Sequence, residues 1–265
     1  MFKTTDAMRM EPTPERVIAV CRMVAHESLT KDELLASLTL GNGIDKAQEL
    51  INTSIAVASE ELGMIKLTNN YYELAVPKEV VYSTVEFRRF VSKKVFSNHE
   101  STFFRFTKWI IDENDNLFSL GKWEVMAKTC ASEISELSQL DENAVLGWRF
   151  WATFLGIGYL NRTMFLPNMK LRLQDILASD FNKKLEFGKA IRAMDFMEWL
   201  SPRIPEVNIG NRLPLALSAG LRTLHELGLI KLETWPDSER IILFQIDGDP
   251  INDFSHITVR EEVAK

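Results

Sequence analysis

Three times this chain writes the same kind of junction: ELGMIKL at residues 61–67, FLGIGYL at 154–160 and ELGLIKL at 226–232. Each begins in an apolar-periodic run, passes through a glycine and continues into a short apolar stretch. Helices commonly end on a residue in the left-handed region, which glycine adopts without a Cβ penalty. The pattern therefore predicts helices that stop at Gly63, Gly156 and Gly228, each followed at once by a strand whose isoleucine packs back on the helices. The glycines stand 93 (156 − 63) and 72 (228 − 156) residues apart, too uneven for a solenoid but suited to small domains joined by linker helices. Helix–glycine–strand junctions also occur in many unrelated folds, so the surrounding elements have to decide.

The first junction closes the clearest run. Thr13 before Pro14 predicts a helix start, a side-chain cap followed by a ring that lacks an amide where none is needed. Val17, Val20, Cys21 and Val24 follow at helical spacing. Thr30-Lys31-Asp32-Glu33 is a capping box, and its helix carries Leu34, Leu35 and Leu38 before Gly41-Asn42-Gly43 breaks it. A third helix, with Ala47, Leu50, Ile51, Ile55, Ala58 and Leu62 on one face, runs to Gly63. Residues 64–67 and 71–75 read as strands around a Thr68-Asn69-Asn70 turn.

Helix, helix, glycine-containing turn, helix and hairpin, in that order over about residues 12–76, resembles the winged helix-turn-helix family. The resemblance implies a third helix that can enter a DNA major groove and a wing that touches backbone or minor groove. The last junction is similar: Leu217, Leu221 and Leu224 stripe a helix that ends at Gly228. Strands are predicted at 229–235 and 241–246 around Pro236-Asp237-Ser238-Glu239. Upstream, Leu185, Phe187, Ile191, Met194 and Met197 predict another helix, while Pro202 and Pro205 leave the next one short or absent. In the centre, Phe103, Phe106 and Ile110 suit one helix, and Trp123, Met126, Ala127 and Cys130 a second. Asp141 caps a third, with Val145, Leu146, Trp148, Ala152 and Leu155, before a short hairpin at 157–166. The expected fold is α+β and mostly α-helical: tandem winged-helix-like domains with short β-hairpin wings and linker helices. The expected divisions are residues 1–83, residues 84–178 with a basic linker helix, and residues 179–265 with an acidic C-terminal tail.

Composition excludes several classes. With 46% hydrophobic residues the chain can build proper cores, yet no apolar run approaches the ~20 residues that cross a bilayer. The opening MFKTTDAMRMEPTPE lacks the basic-then-apolar pattern of a signal peptide. Cys21 and Cys130 fall in apolar helical patterns, as buried reduced thiols of a cytoplasmic protein would. No reaction centre is legible. His26, His99, His225 and His256 are scattered, and neither cysteine has metal-ligand spacing. Gly41-Asn42-Gly43 and Gly156-Ile157-Gly158 continue into neither phosphate-loop pattern. No catalytic residue, metal or cofactor is expected.

The net charge of −6 conceals a sign asymmetry. Residues 88–108 hold six bases (Arg88, Arg89, Lys93, Lys94, Arg105, Lys108) against Glu100 alone. Residues 161–192 hold seven bases against three acids, with Lys183, Lys184, Lys189 and Arg192 closest together. Residues 112–142 and 233–265 each carry eight acids. In FRRFVSKKVF, at 87–96, a helix would bury aromatics and leave cations outside, where each can neutralise a phosphate. The plain alternative is a linker helix whose amines face water or pair with the acidic 112–142 segment.

The would-be reading helices offer less. From 45 to 61 there are four acids and one lysine beside Gln48, Asn52 and Thr53. The last such helix offers Arg212, Arg222 and His225. The central one offers Arg149 among Trp148, Phe150, Trp151 and Phe154, an aromatic set better suited to packing or a protein partner. Acidic tandem winged-helix proteins of similar plan attach to kleisin-type subunits of bacterial chromosome-organising or plasmid-defence complexes. That resemblance implies a non-catalytic adaptor subunit in chromosome or plasmid maintenance or antiviral defence. It implies a larger protein partner such as an ATPase, a nuclease or a kleisin-like subunit, with sequence-nonspecific contact to double-stranded DNA and none to a membrane. The other expectation is a stand-alone winged-helix transcriptional regulator.

Overall fold

The first two helices start where the capping side chains predict. The Thr13 hydroxyl accepts from the Arg16 amide at the start of α1 (Pro14–His26). Thr30 and Glu33 cap each other on α2 (Lys31–Leu38), the Thr30 amide donating to Glu33 Oε2 at 2.8 Å. The computed structural model describes residues 1–3, 8–39 and 45–264, without the side chains of Asp45, Lys46, Lys183 and Ala264. The expected break at Gly41-Asn42-Gly43 lies outside the described residues.

Next, α3 (Asp45–Ala56) runs into one π-helical turn (Val57–Glu61) and stops at Gly63, whose φ is +64°. β1 (Ile65–Thr68) and β2 (Tyr71–Leu74) form an antiparallel hairpin. Asn69 and Asn70 both have positive φ at its tip, as a tight turn between twisted strands requires. Leu29, between α1 and α2, bridges to Tyr72 on the far side of β2. The last strand made is therefore the middle one.

The chain continues through α4 (Lys78–Tyr82), α5 (Thr84–Phe96), α6 (Thr102–Asp112), α7 (Asn116–Leu120), α8 (Trp123–Glu133) and α9 (Glu142–Phe154). Asp141 caps α9 as expected, its Oδ1 accepting from the Ala144 amide at 2.8 Å. Gly156, at φ +78°, leads into the antiparallel pair β3 (Gly158–Asn161) and β4 (Met164–Pro167). Here the isoleucine position is taken by Gly158, where a Cβ would meet the Leu166 carbonyl oxygen at 2.4 Å and the Phe165 ring at 2.5 Å.

Then come α10 (Lys170–Asp180), β5 (Ala190–Arg192), α11 (Ala193–Leu200), a single 3-10 turn (Ser201–Arg203) and α12 (Leu215–Glu226). Gly228, at φ +70°, ends α12, and β6 (Ile230–Glu233), β7 (Ile241–Ile242), β8 (Asp253–Phe254) and β9 (His256–Val259) follow. The whole is mixed α+β, 54% helical, with small antiparallel sheets.

Three local expectations need correction. The helix predicted from Leu185 to Met197 begins only at Ala193, because Gly188 sits at φ +76° and residues 190–192 pair with β9. The hairpin predicted between 229–235 and 241–246 does not form; β7 pairs with β8, and β6 pairs with β9. The acidic tail is in part the central strand of a sheet ordered β5-β9-β6, with Ile257 and Val259 in the core.

Contacts divide the chain into two compact units, Met1–Phe106 with Lys122–Phe154, and Thr107–Gly121 with Leu155–Lys265. The expected divisions at 83/84 and 178/179 follow element order, whereas the contact units place α8 and α9 in the first and the β3–β4 hairpin in the second. The first unit is built around fully buried Phe87, Phe103, Phe106, Trp148 and Trp151. Phe106 meets Trp148 edge-on with centroids 5.1 Å apart, and the Trp151 indole donates to the Pro12 carbonyl at 2.6 Å. The second unit centres on Phe165, Phe181, Phe196 and Phe254 and holds a buried ion pair, Arg172 to Glu206 at 2.9 Å.

The corrected topology separates two isoleucines. Ile257 is fully buried and Ile246 is 37% exposed. Ile257→Ala should cost roughly 2–4 kcal/mol in urea unfolding and Ile246→Ala under about 1 kcal/mol. Equal costs would contradict the β5-β9-β6 order.

Candidate functional site

The basic linker is α5. Ser83 caps it by accepting from the Glu86 amide at 3.2 Å, and Phe87, Val91, Val95 and Phe96 bury its inner face. Lys93 and Lys94 stand exposed in its last turn, where cations also suit the helix dipole. Arg88 and Arg89 are half-buried, and Arg89 pairs with Glu86 at 2.7 Å. The expected alternation is met by Lys93 and Lys94, whereas Arg88 and Arg89 are buried to the same half-way degree as Phe90.

The remaining basic candidates are dispersed among acids. Arg105 pairs with Glu100 and, at 2.7 Å, with Glu136 of the acidic segment. Partial burial acts against its charge, yet the hydrogen bonds to Glu136 and Glu100 raise its pKa above the ordinary guanidinium value. Lys108 donates to Asn208 at 2.6 Å and lies 3.6 Å from Asp112. In the second unit, Lys189 pairs with Glu186, and Arg192 is held by both Asp195 oxygens at 2.8 Å. The hydrogen bonds it donates to Asp195 raise the Arg192 pKa above the ordinary guanidinium value. Lys184 is exposed, and the Lys183 side chain lies outside the described residues. Of the ten candidates, Lys93, Lys94 and Lys184 are exposed and make no ion pair among the described residues.

The aromatic set on α9 divides in two. Trp148 and Trp151 are fully buried, which corrects their expected place on a partner-binding face. Both indoles are core because they lie on the inner row of α9 with Val145 and Ala152. Phe150 and Phe154 are half-buried and stay on its outer side. Arg149 lies over two rings, 4.9 Å from the Phe150 centroid and 6.0 Å from that of Trp123. Sequence spacing did not single out this stacked guanidinium, although Arg149-Phe150 was its signal. Nor did it reveal a cleft of about 540 Å³ lined by Pro14, Ile18, Met23, Leu38, Thr84 and Phe154, among others.

The expected base-reading groups fare differently in the two units. On α3, Gln48 is exposed and Asn52 half-buried, while the Thr53 hydroxyl turns back to the Glu49 and Leu50 carbonyls. On α12 only Glu226, its last residue, is exposed. Arg222 is 4% exposed and donates to the Ile251 carbonyl while pairing with Asp249 at 2.8 Å. His225 accepts the Leu232 amide on Nδ1 at 3.0 Å. A Cβ at Gly220 would approach the Lys170 amide nitrogen to 2.8 Å, so α10 lies directly against α12.

Among the described residues, no group of three or more His, Cys, Asp or Glu side chains is arranged to hold a metal. Among the described residues, no helix is long and apolar enough to cross a membrane. No protein-family model, curated protein or solved structure matches this chain.

Burial pushes the Cys21 thiol up from 9.0 to about 12. In the folded chain at pH 8, iodoacetamide should leave Cys21 unmodified, and labelling should follow unfolding in urea. Because the unfolded thiol ionises first, its contribution to stability is intact below pH 9 and is lost as pH rises toward 12. Fast alkylation of the native protein at pH 8 would contradict this burial.

Proposed function

We propose that this chain is a non-catalytic tandem winged helix-turn-helix subunit of a multi-protein DNA-handling complex of the bacterial defence or chromosome and plasmid maintenance type. It binds a larger protein partner and touches DNA backbone without reading sequence. The observation that carries the winged-helix assignment is a repeated strand order. In the first unit the elements run α1, Leu29, α2, α3, β1, β2, with β2 between Leu29 and β1. In the second they run α10, β5, α11, α12, β6, β7, β8, β9, with the β7–β8 pair set between β6 and β9 in the chain and β9 between β5 and β6 in the sheet. ELGMIKL and ELGLIKL occupy equivalent places in the two arrangements, at the helix end before the second strand.

The adaptor role is supported by what the helices present. Base readout needs side chains that project from a helix into the major groove; α12 is covered along almost its whole length. α3 and its π-helical turn carry more acids than bases. A regulator that selects a DNA site is therefore the weaker reading. Backbone contact through Lys93 and Lys94 is compatible with these facts, because phosphate neutralisation needs exposed amines and no base code.

Two measurements test this function. In a gel shift, two lysine–phosphate contacts imply that affinity for duplex DNA falls about tenfold between about 50 and about 200 mM salt. The Arg88→Glu, Arg89→Glu, Lys93→Glu, Lys94→Glu variant should not bind; unchanged binding removes the DNA contact. Pull-down of the full chain from its native host should recover a stoichiometric larger protein that itself handles DNA, and a chain that recovers none is not an adaptor.

A further inference from the structure

We propose that the outer side of α9 and the cleft beside it form a groove for an acidic amphipathic helix of the partner protein. The inference rests on the adaptor reading and adds the chemistry of the partner and the place where it docks.

Leu146, Phe150 and Phe154 recur at i, i+4 and i+8 on α9, so they form one row, and all three are half-buried. The row ends in the cleft, because Phe154 is also one of its walls. There Pro14, Ile18 and Met23 of α1 and Leu38 of α2 supply further apolar surface. At about 540 Å³ the cleft has room for bulky side chains. Its walls come from helices, and no strand edge among the lining residues offers backbone pairing to an extended peptide. A partner helix that lays anchors three and four residues apart along the row suits such a surface.

The charge of the partner follows from Arg149. Its guanidinium is held against Phe150 and Trp123, its Nε is buried without a hydrogen-bond acceptor, and it makes no ion pair among the described residues. A buried donor without an acceptor is costly, and a stacked guanidinium is already oriented for a bidentate carboxylate. On the cleft wall itself the cation is Arg22, which is fixed by donating to the Val81 and Tyr82 carbonyls. The acid on the cleft is Glu15. Glu15 and Arg22 leave the cleft wall without net charge, so the cation that has no ion pair among the described residues is Arg149, beside Phe150 of the apolar row, and it matches a carboxylate flanking an apolar stripe. Nucleic acid would leave that row uncovered.

The test uses the full chain and two stapled helical peptides with the same leucine stripe, one flanked by glutamates and the other by lysines. Fluorescence anisotropy should give the glutamate peptide an affinity about tenfold higher or more. Arg149→Glu should reverse the order. Arg149→Gln, which keeps a stackable amide, should abolish the difference, so a misfolded Arg149→Glu does not end the experiment. Ala19→Arg, on the cleft wall, should abolish binding of both peptides while the melting temperature stays near that of the parent. Equal binding of the two peptides, binding of neither, or indifference to Ala19→Arg overturns the proposal. Host pull-down separates it from the adaptor reading: a partner recovered equally with Ala19→Arg overturns the groove and leaves the adaptor standing, whereas no partner with the parent chain overturns both.

Discussion

A strand with neighbours on both sides must satisfy its amides and carbonyls in two directions, and in both units that strand is the last to be made. β2 takes Leu29 on one side and β1 on the other. β9 takes β5 and β6. This demand explains why a single residue suffices at Leu29 and three at β5: they are edge partners that complete a ladder. It also ties the helices together, since the edge partner lies between the first two helices and the other strands follow the third. Removing the central strand would therefore unpair the segment that links the first two helices as well as the strand that follows the third.

The glycine junctions make that closure reachable. A helix that stopped without a left-handed residue would carry its chain past the sheet, and Gly63 and Gly228 instead turn it back within two residues. Ile65 and Ile230 are then buried at once, which anchors each strand to the helix it just left. The central junction turns at Gly156 in the same way but has Gly158 at the isoleucine position, so the Phe165 ring fills the place of a side chain. Its two strands form a separate pair with no third partner.

Local chemistry made part of this legible before any coordinates. Thr13, Thr30, Glu33, Asp141 and the paired asparagines at 69–70 act within a few residues of themselves, so their roles can be read from neighbours. The partner of β6 cannot, because it arrives 26 residues after Ile230 begins that strand (256 − 230) and nothing in the periodicity of either segment names the other. The acids around 247–253 read as tail, whereas Asp249 is fixed by Arg222 and Thr234 donates to Asp253. The α9 aromatics fail for another reason. An apolar row that faces a core and one that faces a partner have the same helical spacing, so Trp148 and Phe150 differ only by rotation about α9. Of the candidate surface, the exposed lysines of α5 were legible and the Arg149 stack with its adjoining cleft was not.

The contrast between α3 and α12 carries the functional logic furthest. The segment between β6 and β9 folds back on α12: Phe244 donates its amide to Ser218, Arg222 reaches the Ile251 carbonyl, and Ile242 pairs with residues just before the helix. With α10 against Gly220 on another side, α12 has become a core element. Uncovering it would expose Leu217, Leu221 and Leu224 and leave the buried Arg222 without Asp249, a cost that phosphate contacts at a surface do not supply. A shared topology therefore does not imply a shared use. In the second unit the helix to which the winged-helix resemblance assigns recognition serves packing, and in the first unit the guanidinium on α9 is one of the groups left with a buried, unsatisfied atom. Recognition by this chain is accordingly better sought at Arg149, where an acceptor is missing, than at the helices to which the winged-helix resemblance assigns it.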